Sequence, residues 1–278
     1  MRRQKNGWAP AVLAVTMLVA WVVSSPPATA QASRPKPTVA APACDPGKFH
    51  LVVDVGHTPE IPGAISARGK TEYDFNLRLA KVIERKMIAA GFGRTTVLLG
   101  TGQAIPSLVR RVLQANAMSA DLLLSVHHDS VPEIFKSKWE YEGKQLEYSD
   151  RFKGHSIFIS NENANFPRSF AFAKLLGARL KARGMEYTPH YTERFMGARR
   201  RALLDPETGV YRYDQLLILK NTAMPAVLLE AGSIVNRDEE LLMDREEHQS
   251  QIAAAITEAV DTFCAQNSAR TAKVGATR

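Results

Sequence analysis

The chain has 278 residues, of which 45% are hydrophobic and 23% charged, and its formal net charge is +8 at pH 7. This length and composition predict one globular domain with a sizeable core. The basic excess is modest and no basic stripe interleaved with aromatic residues is present, which argues against a nucleic-acid-binding protein.

The first 30 residues have the pattern of a secretory signal peptide. A basic start, "MRRQKNGWAP", precedes an apolar run at 11–23, and Ala28 and Ala30 fit a small-residue cleavage site. The run is shorter than the about 20 residues that span a bilayer. Cleavage after Ala30 removes three of the 36 basic residues and none of the 28 acidic ones, so the net charge falls from +8 to +5. We therefore predict an exported protein of the periplasm or cell envelope, with no membrane span after cleavage.

The rest of the chain divides into three segments by composition. Residues 31–47 are rich in Pro and Ala and predict a linker, residues 48–265 predict a single domain, and residues 266–278 predict a polar tail. Cys44 and Cys264 bracket this domain, and in an oxidising compartment we expect them to form a disulfide. Two buried free thiols are the alternative.

Apolar runs of strand length alternate with helical patterns along the predicted domain. Helical apolar faces begin near Glu72, Leu108, Pro167 and Ile252. The predicted strands are at 50–55, 95–100, 121–126, 155–160, 215–220 and 225–231. This alternation predicts an α/β fold, with a mostly parallel twisted sheet of about six strands covered by helices on both faces.

Polar residues follow several predicted strands at their carboxyl ends, where ligand sites of such sheets lie. His57 follows Gly56 after the first strand, and Glu230 lies near the end of the last strand. The third strand ends in "SVHHDS", and because successive strand residues point to opposite faces, only one of His127 and His128 can face a site there.

Glu72 comes fifteen residues after His57, at the start of the first predicted helix. Two histidines and a carboxylate form a ligand set suited to Zn²⁺, and a second carboxylate can then act as a general base. The alternative is that each histidine is structural and that Glu72 only interacts with the helix dipole.

Four ordered motifs resemble the zinc-dependent N-acetylmuramoyl-L-alanine amidases of the AmiC-like (Amidase_3) type. "VVDVGHTPEIPGAISARGKTE" is similar to the family's D-x-G-H segment with its downstream glutamate. "LVRRVLQANAMSADLLLSVHHDS" matches L-x-x-R-x-x-x-A-N followed by S-x-H, and "LKNTAMPAVLLEAGSIVN" resembles the closing segment. The resemblance covers residues 49–264 and implies a single mixed-sheet α/β domain that cleaves the amide bond between N-acetylmuramic acid and L-alanine in peptidoglycan.

The resemblance also implies roles for particular residues. It makes His57, Glu72 and His127 the zinc ligands and Glu230 the catalytic acid/base. We expect Asp54, His128, Asp129 and Arg111 to support these ligands or to contact substrate, with ordinary structural roles as the alternative. Thr58, Pro59 and Tyr73 stand where the family commonly has Gly-Gly and Lys, so details of substrate binding are expected to differ.

Residues 131–153 form an insert in which charged residues alternate with Trp139, Tyr141, Tyr148 and Phe152. Three interpretations remain: a substrate-facing flap, a regulatory lid displaced by an activator protein with a LytM-like domain, or a structural cover for the sheet edge.

Two rival functions remain: a zinc peptidase or carboxypeptidase acting on peptidoglycan stems, and a non-catalytic peptidoglycan-binding protein. The intact Glu230 argues against the non-catalytic alternative. We expect a monomer that binds peptidoglycan and no nucleic acid.

Overall fold

The computed structural model describes the backbone of residues 44–275 and the side chains of residues 44–268. The predicted signal peptide and most of the predicted linker lie outside the described residues. Among the described residues, no helix combines the length and apolar character needed to cross a membrane. The last helix continues to Gly275, through most of the segment predicted as a polar tail at 266–278.

Strands and helices alternate as the sequence predicts. The strands are β1 (Leu51–Val55), β2 (Thr96–Leu98), β3 (Leu122–Asp129), β4 (Ser137–Tyr141), β5 (Lys144–Tyr148), β6 (Ser156–Ile159), β7 (Ala202–Asp205), β8 (Val210–Arg212) and β9 (Ala226–Ser233). The helices are α1 (Glu72–Ala89), α2 (Ala104–Ala117), α3 (Phe166–Lys181), α4 (Leu217–Lys220), α5 (Arg237–Met243) and α6 (Glu246–Gly275).

Within residues 44–275, seven strands form one sheet in the order β2-β1-β3-β9-β6-β8-β7, and β4 and β5 form a separate hairpin. The pairs β2–β1, β1–β3, β3–β9 and β6–β8 are parallel. The pairs β9–β6 and β8–β7 are antiparallel. The prediction of a mostly parallel, mixed α/β sheet is confirmed, with one strand more than expected.

One predicted strand is wrong. The run "QLLILK" at 215–220 contains the short helix α4, in which Ile218 and Leu219 are buried. A short apolar run does not distinguish a buried strand from a buried helical turn by periodicity. The strands β7 and β8 were not predicted, because they have only four and three residues and lack an apolar run of the usual strand length.

Both faces of the sheet are buried, as the strand patterns require. Leu51, Val53 and Val55 of β1 belong to a core shared with buried residues of α1, α3 and α6, whereas Val52 belongs to a second core that includes residues of α2 and α4. Alternate residues of one strand therefore enter different cores.

Helix α1 begins at Glu72 because Thr71 caps it, its side chain accepting a hydrogen bond from the Asp74 backbone N–H at 3.2 Å. Phe75, Leu79, Ile83 and Met87 recur every fourth residue and are buried against the sheet. The cap and the apolar face together fix Glu72 at the carboxyl end of the parallel strands.

Cys44 and Cys264 form a disulfide across 220 residues of sequence, with their Cα atoms 5.1 Å apart. It joins the start of the described chain to α6, where Phe49 packs edge-on against Phe263. The predicted disulfide is confirmed.

Candidate metal centre and active site

Three neighbouring parallel strands bring the predicted site residues together. His57 lies two residues beyond the end of β1, His127 lies near the end of β3, and Glu230 of β9 is the register partner of His127. Glu72 enters from the start of α1. The site therefore forms at the carboxyl ends of β1, β3 and β9, as parallel-sheet folds favour.

His57, Glu72 and His127 form a cluster that can hold a metal ion. His57 Nε2 lies 3.0 Å from Glu72 Oε2, and His127 Nδ1 lies 2.9 Å from Glu72 Oε1. One ligand atom from each side chain lies within 4.8 Å of the others. Two imidazole nitrogens and one carboxylate oxygen form a donor set that suits Zn²⁺.

The backbone around this cluster leaves room for the ligand side chains. A Cβ on Gly56 would lie 2.3 Å from the His127 ring, and one on Gly63 would lie 2.4 Å from Glu72 Oε2. His57 itself has a φ of 71°, a left-handed conformation that few non-glycine residues adopt. Strain of this kind is concentrated at functional sites.

The charge state of Glu72 follows from its partners. Burial alone would raise its pKa, but hydrogen bonds with His127 and His57 outweigh burial and hold the pKa of Glu72 well below its usual value. The Ala64 backbone N–H also donates to Glu72 Oε2 at 3.1 Å. Glu72 is therefore an ionised carboxylate ready to act as a ligand.

Glu230 differs from Glu72 in that it lacks stabilising donors. Its Oε2 atom is buried and has no hydrogen-bond partner among the described residues. Burial, and then the nearby charges of Asp129 and Glu72, raise the pKa of Glu230 well above its usual value. Glu230 can therefore exchange a proton with a bound ligand.

Asp54 and Arg111 lie beneath the site rather than in it. Arg111 Nη1 donates to Asp54 Oδ1 at 2.5 Å and to the Val55 carbonyl at 3.0 Å, and Ser125 Oγ donates to Asp54 Oδ2 at 2.6 Å. Asp54 was expected as a partner of a ligating imidazole, but its donors are Arg111 and Ser125. The buried group ties β1, β3 and α2 together below the two histidines.

The two adjacent histidines point to different faces of β3, as strand alternation predicts. His127 faces Glu72 and His57, whereas the His128 ring packs on α1 against Phe75 and places Nδ1 2.8 Å from Asn76 Oδ1. His128 is 2% exposed, and burial lowers its pKa to about 3. It is therefore a neutral imidazole beside the metal cluster.

Asp129 follows a register shift in the β3–β9 pairing. Its Oδ1 accepts a hydrogen bond from the Tyr191 hydroxyl at 2.7 Å, and its Oδ2 lies 3.8 Å from His190 Nε2. Burial raises the pKa of Asp129 to about 6. Its donors are the Tyr191 hydroxyl and the Ser130 backbone N–H, and no hydrogen bond to a ligand imidazole is present within the described part of the chain.

Asn76 and Tyr191 contact the predicted site residues His128 and Asp129 but were not predicted from the sequence. Asn76 lies four residues after Glu72, the spacing that places two side chains on one face of a helix, so periodicity offered a signal. Tyr191 lies in a long polar segment far from Asp129 in sequence, and no local pattern connects them.

The insert at 131–153 forms a hairpin whose aromatic residues pack against the body of the protein. Trp139 Nε1 donates to the Ala67 carbonyl at 2.9 Å, and the Arg68 and Arg237 guanidinium groups lie 5.5 Å and 5.2 Å from the Trp139 ring. Arg237 also lies over the Tyr148 ring at 3.8 Å. These three aromatic–cation contacts anchor the hairpin beside the segment that leads to Glu72.

The opposite, polar face of the hairpin borders an open groove of about 670 Å³. We call it the hairpin groove; it is lined by Gly63, Ala64, Ile65, Ser66, Glu133, Lys136, Lys138, Gln145, Leu146 and Glu147. Because Gly63 also lies against Glu72 and His57, the groove begins beside the metal cluster.

Another cavity, of about 700 Å³, includes His155, His190 and Glu239 in its lining but no member of the metal cluster. Burial raises the pKa of Glu239 to about 7, yet its carboxylate accepts hydrogen bonds from the Gly154 and Ser233 backbone N–H groups. The donor chemistry, rather than cavity size, therefore identifies the strand ends as the site.

The fold and the ligand cluster define the class as a candidate metal-dependent hydrolase. The model of the N-acetylmuramoyl-L-alanine amidase family (Amidase_3) matches residues 51–262. The chain therefore belongs to the N-acetylmuramoyl-L-alanine amidase family. The family and enzyme class implied by the sequence motifs are confirmed.

Curated relatives support the match at low identity. The chain is 26% identical to the N-acetylmuramoyl-L-alanine amidase AmiA of Escherichia coli over 243 residues, covering 78% of this chain and 76% of AmiA. It is 23% identical to an endolysin of Bacillus phage SPP1 over 208 residues, covering 75% of this chain and 63% of the endolysin. The chain thus spans slightly less than two thirds of that endolysin.

Solved structures of amidases share the fold. Ami1 from Mycobacterium smegmatis aligns with a TM-score of 0.59 and 18% identity, covering 78% of this chain and 97% of Ami1. AmiC2 of Nostoc punctiforme aligns with a TM-score of 0.56 and 19% identity, with the same coverage of 78% and 97%.

Proposed function

We propose that the protein hydrolyses the amide bond between the lactyl group of N-acetylmuramic acid and L-alanine in peptidoglycan, with a metal ion held by His57, Glu72 and His127. The family match supports the reaction class. The observation that carries the assignment of residues is the convergence of these three donors opposite Glu230, the register partner of His127.

Zn²⁺ is the metal that the donor set favours, and the structure passes two tests of fit. The two glycines that approach the ligands have no Cβ to occupy the space around them, and Glu72 is held ionised. When bound, Zn²⁺ supplies Lewis-acid polarisation of a carbonyl and a lowered pKa of water. The chain supplies the orientation of the ligands and a separate proton carrier.

Glu230 is the proposed proton carrier. Its position beside His127 places a carboxyl group next to the ligand cluster, and its buried Oε2 has no partner within the described residues. In the ionised form it accepts a proton from water, and in the protonated form it donates that proton to the departing L-alanine amine. The unpaired oxygen lets the same atom perform both transfers.

The Glu230→Gln variant tests this role. We expect hydrolysis of purified sacculi to slow by about 10²- to 10⁴-fold, the usual contribution of a general acid/base, with metal content unchanged. The Glu207→Gln variant is the matched control, because Glu207 is an exposed carboxylate paired with Lys181 far from the ligand cluster in sequence and fold. Wild-type rates from Glu230→Gln would show that the assignment is wrong.

Mass analysis of the released products separates the proposed reaction from its rivals. An amidase releases intact stem peptides that begin with L-alanine and leaves glycan free of them. A carboxypeptidase releases free amino acids from the far end of the stem, and a binding protein releases neither. Loss of activity on chelation, restored by Zn²⁺, tests the metal separately.

We also propose that the protein is exported and acts in the periplasm or cell envelope. The opening 30 residues support export by their pattern, and the Cys44–Cys264 disulfide is of the kind that persists in oxidising compartments. The substrate class is consistent with this location.

A protein activator is a further part of the proposal. The CwlD amidase from Clostridioides difficile, a structural relative with 18% identity, has been solved in complex with the GerS lipoprotein. For this chain we propose an activator with a LytM-like domain, on the strength of the motif resemblance. The anchored hairpin at the groove is the surface that such an activator would have to move or contact.

A further inference from the structure

Asn76 lies one helical turn after Glu72 on α1 and is fully buried, at 0% exposure. Its side-chain Nδ2 lies 3.4 Å from Glu72 Oε1 and 3.3 Å from the Gly56 carbonyl. Its Oδ1 lies 2.8 Å from His128 Nδ1. The Asn76 side chain thus contacts the proposed ligand Glu72, the peptide group between Gly56 and His57, and His128, which follows His127.

The partners fix the orientation of this amide. A carboxylate oxygen and a backbone carbonyl can only accept hydrogen bonds, so the end of Asn76 that faces Glu72 and Gly56 must be the NH₂ group. Its carbonyl oxygen then faces His128, and the Nδ1 atom of His128 must carry the proton. The Glu72 and Gly56 acceptors therefore determine which way the Asn76 amide points, and the protonated Nδ1 of His128 holds its carbonyl end in that orientation.

The contacts on Glu72 show why this orientation matters. Oε2 of Glu72 is held by His57 and by the Ala64 backbone N–H, whereas Oε1 faces His127 and the Asn76 amide. Asn76 is the amide side chain that donates to this carboxylate within the described residues. If the His127 ring nitrogen were a metal ligand, the donors left on Oε1 would be the Asn76 amide at 3.4 Å and the His128 backbone N–H at 3.5 Å.

We propose that Asn76 is a positioning residue, which holds the Glu72 carboxylate and the Gly56 peptide in the arrangement that accepts a metal ion, and that His128 acts through Asn76 by fixing its amide. This inference rests on the proposed metal site. It gives His128, which points away from the ligand cluster, a defined role.

Zinc affinity of the apo protein, measured by competition with a chromophoric chelator, tests the proposal without relying on activity. We expect Asn76→Ala to weaken Zn²⁺ binding by about 10- to 100-fold, the usual loss when a partner of a metal ligand is removed. Asn76→Asp keeps the size but replaces the donor with a carboxylate facing Glu72, so we expect a loss at least as large. Thermal unfolding in chelator establishes that each variant is folded.

The pair of variants Asn76→Ala and His128→Phe tests the order of action. His128→Phe keeps a ring but removes the donor, and we expect it to weaken binding less than Asn76→Ala. If His128 acts through Asn76, the double variant binds Zn²⁺ as Asn76→Ala does. A double variant whose loss equals the product of the two single losses would overturn this part of the proposal.

Asn163→Ala is the matched control, because Asn163 is also a buried asparagine, with its Nδ2 donating to the Leu219 and Met224 carbonyls away from the ligands. It should lower stability and leave zinc affinity unchanged. Wild-type affinity in folded Asn76→Ala and Asn76→Asp would overturn the inference alone. A wild-type protein that binds no Zn²⁺ would overturn the proposed metal site as well.

Discussion

Gly56 shows how the absence of a side chain shapes this site. It lies between the end of β1 and His57, and the position of its missing Cβ is within 2.3 Å of two atoms of the His127 ring. Real Cβ atoms do not approach other atoms so closely, so only glycine lets the ends of β1 and β3 lie side by side with a ligand imidazole between them.

The Gly56→Ala variant should therefore lose its metal. The new methyl group displaces the His127 ring, and we expect metal affinity to fall by more than the about 10- to 100-fold typical of losing a ligand's partner. Metal analysis after dialysis, together with hydrolysis of sacculi, measures the effect. Gly93→Ala is the control, since its Cβ would meet nothing within 4 Å. Full metal occupancy in Gly56→Ala would contradict this account.

Residue chemistry made part of the site predictable from the sequence. Strand alternation required that one of His127 and His128 face the site, and the motif resemblance selected His127, which the structure places beside Glu72. The role of His128 was not predictable, because it depends on Asn76 across 52 residues of sequence. Contacts of that kind follow from the packing of α1 on β3, which no local pattern encodes.

The β4–β5 hairpin forms one side of the groove that begins beside the metal cluster. Its aromatic face is held by Arg68 and Arg237, and its polar face borders the hairpin groove. The aromatic residues therefore anchor the hairpin and are not available as a platform for sugar rings. This arrangement favours a fixed groove wall over either an aromatic flap or a loose lid.

The Trp139→Ala variant tests the hairpin as a groove wall. Removing the hydrogen bond to Ala67 and the cation–π contacts costs roughly 1–2 kcal/mol of anchoring, so we expect KM for sacculi or muropeptides to rise by up to about tenfold with little change in kcat. Glu207→Ala, which changes an exposed residue away from the hairpin, should behave as wild type. A rise in basal activity of Trp139→Ala would instead identify a lid.

The β4–β5 hairpin within residues 131–153 was not predicted from the sequence. Alternation of charged and aromatic residues marked 131–153 as unlike a linker, but register between β4 and β5 depends on the turn at Glu142 and Gly143, both with positive φ. At 215–220 the burial of apolar residues was predicted correctly but the element type was not, because the buried Ile218 and Leu219 lie on a short helix.

Two buried groups make the stability of the folded protein depend on pH in opposite directions. Burial lowers the pKa of His155 from 6.5 to about 4, so between these values the unfolded chain binds a proton that the folded chain does not. Its contribution to stability is present above pH 6.5 and is lost as the pH falls towards 4. Glu239, with a pKa raised from 4.5 to about 7, contributes stability below pH 4.5 that is lost as the pH rises through 7.

The His155→Phe variant isolates the first effect. Between pH 7 and pH 4 the wild-type protein should lose about 3 kcal/mol of stability that the variant does not lose, from a pKa difference of about 2.5 units. Urea unfolding in chelator at both pH values measures this difference, and Glu239 contributes equally to both proteins. Parallel pH profiles would show that His155 is not held neutral by burial.

The Cys44–Cys264 bond also determines how the domain carries mechanical load. Tension applied between the segment before Cys44 and the segment after Cys264 passes through the covalent bond, because the two Cα atoms are 5.1 Å apart and the residues between the two cysteines form a closed loop outside the line of force. The sheet and its ligand cluster are shielded from that tension. An enzyme that cuts a stretched polymer while its own ends are pulled would keep its active-site geometry.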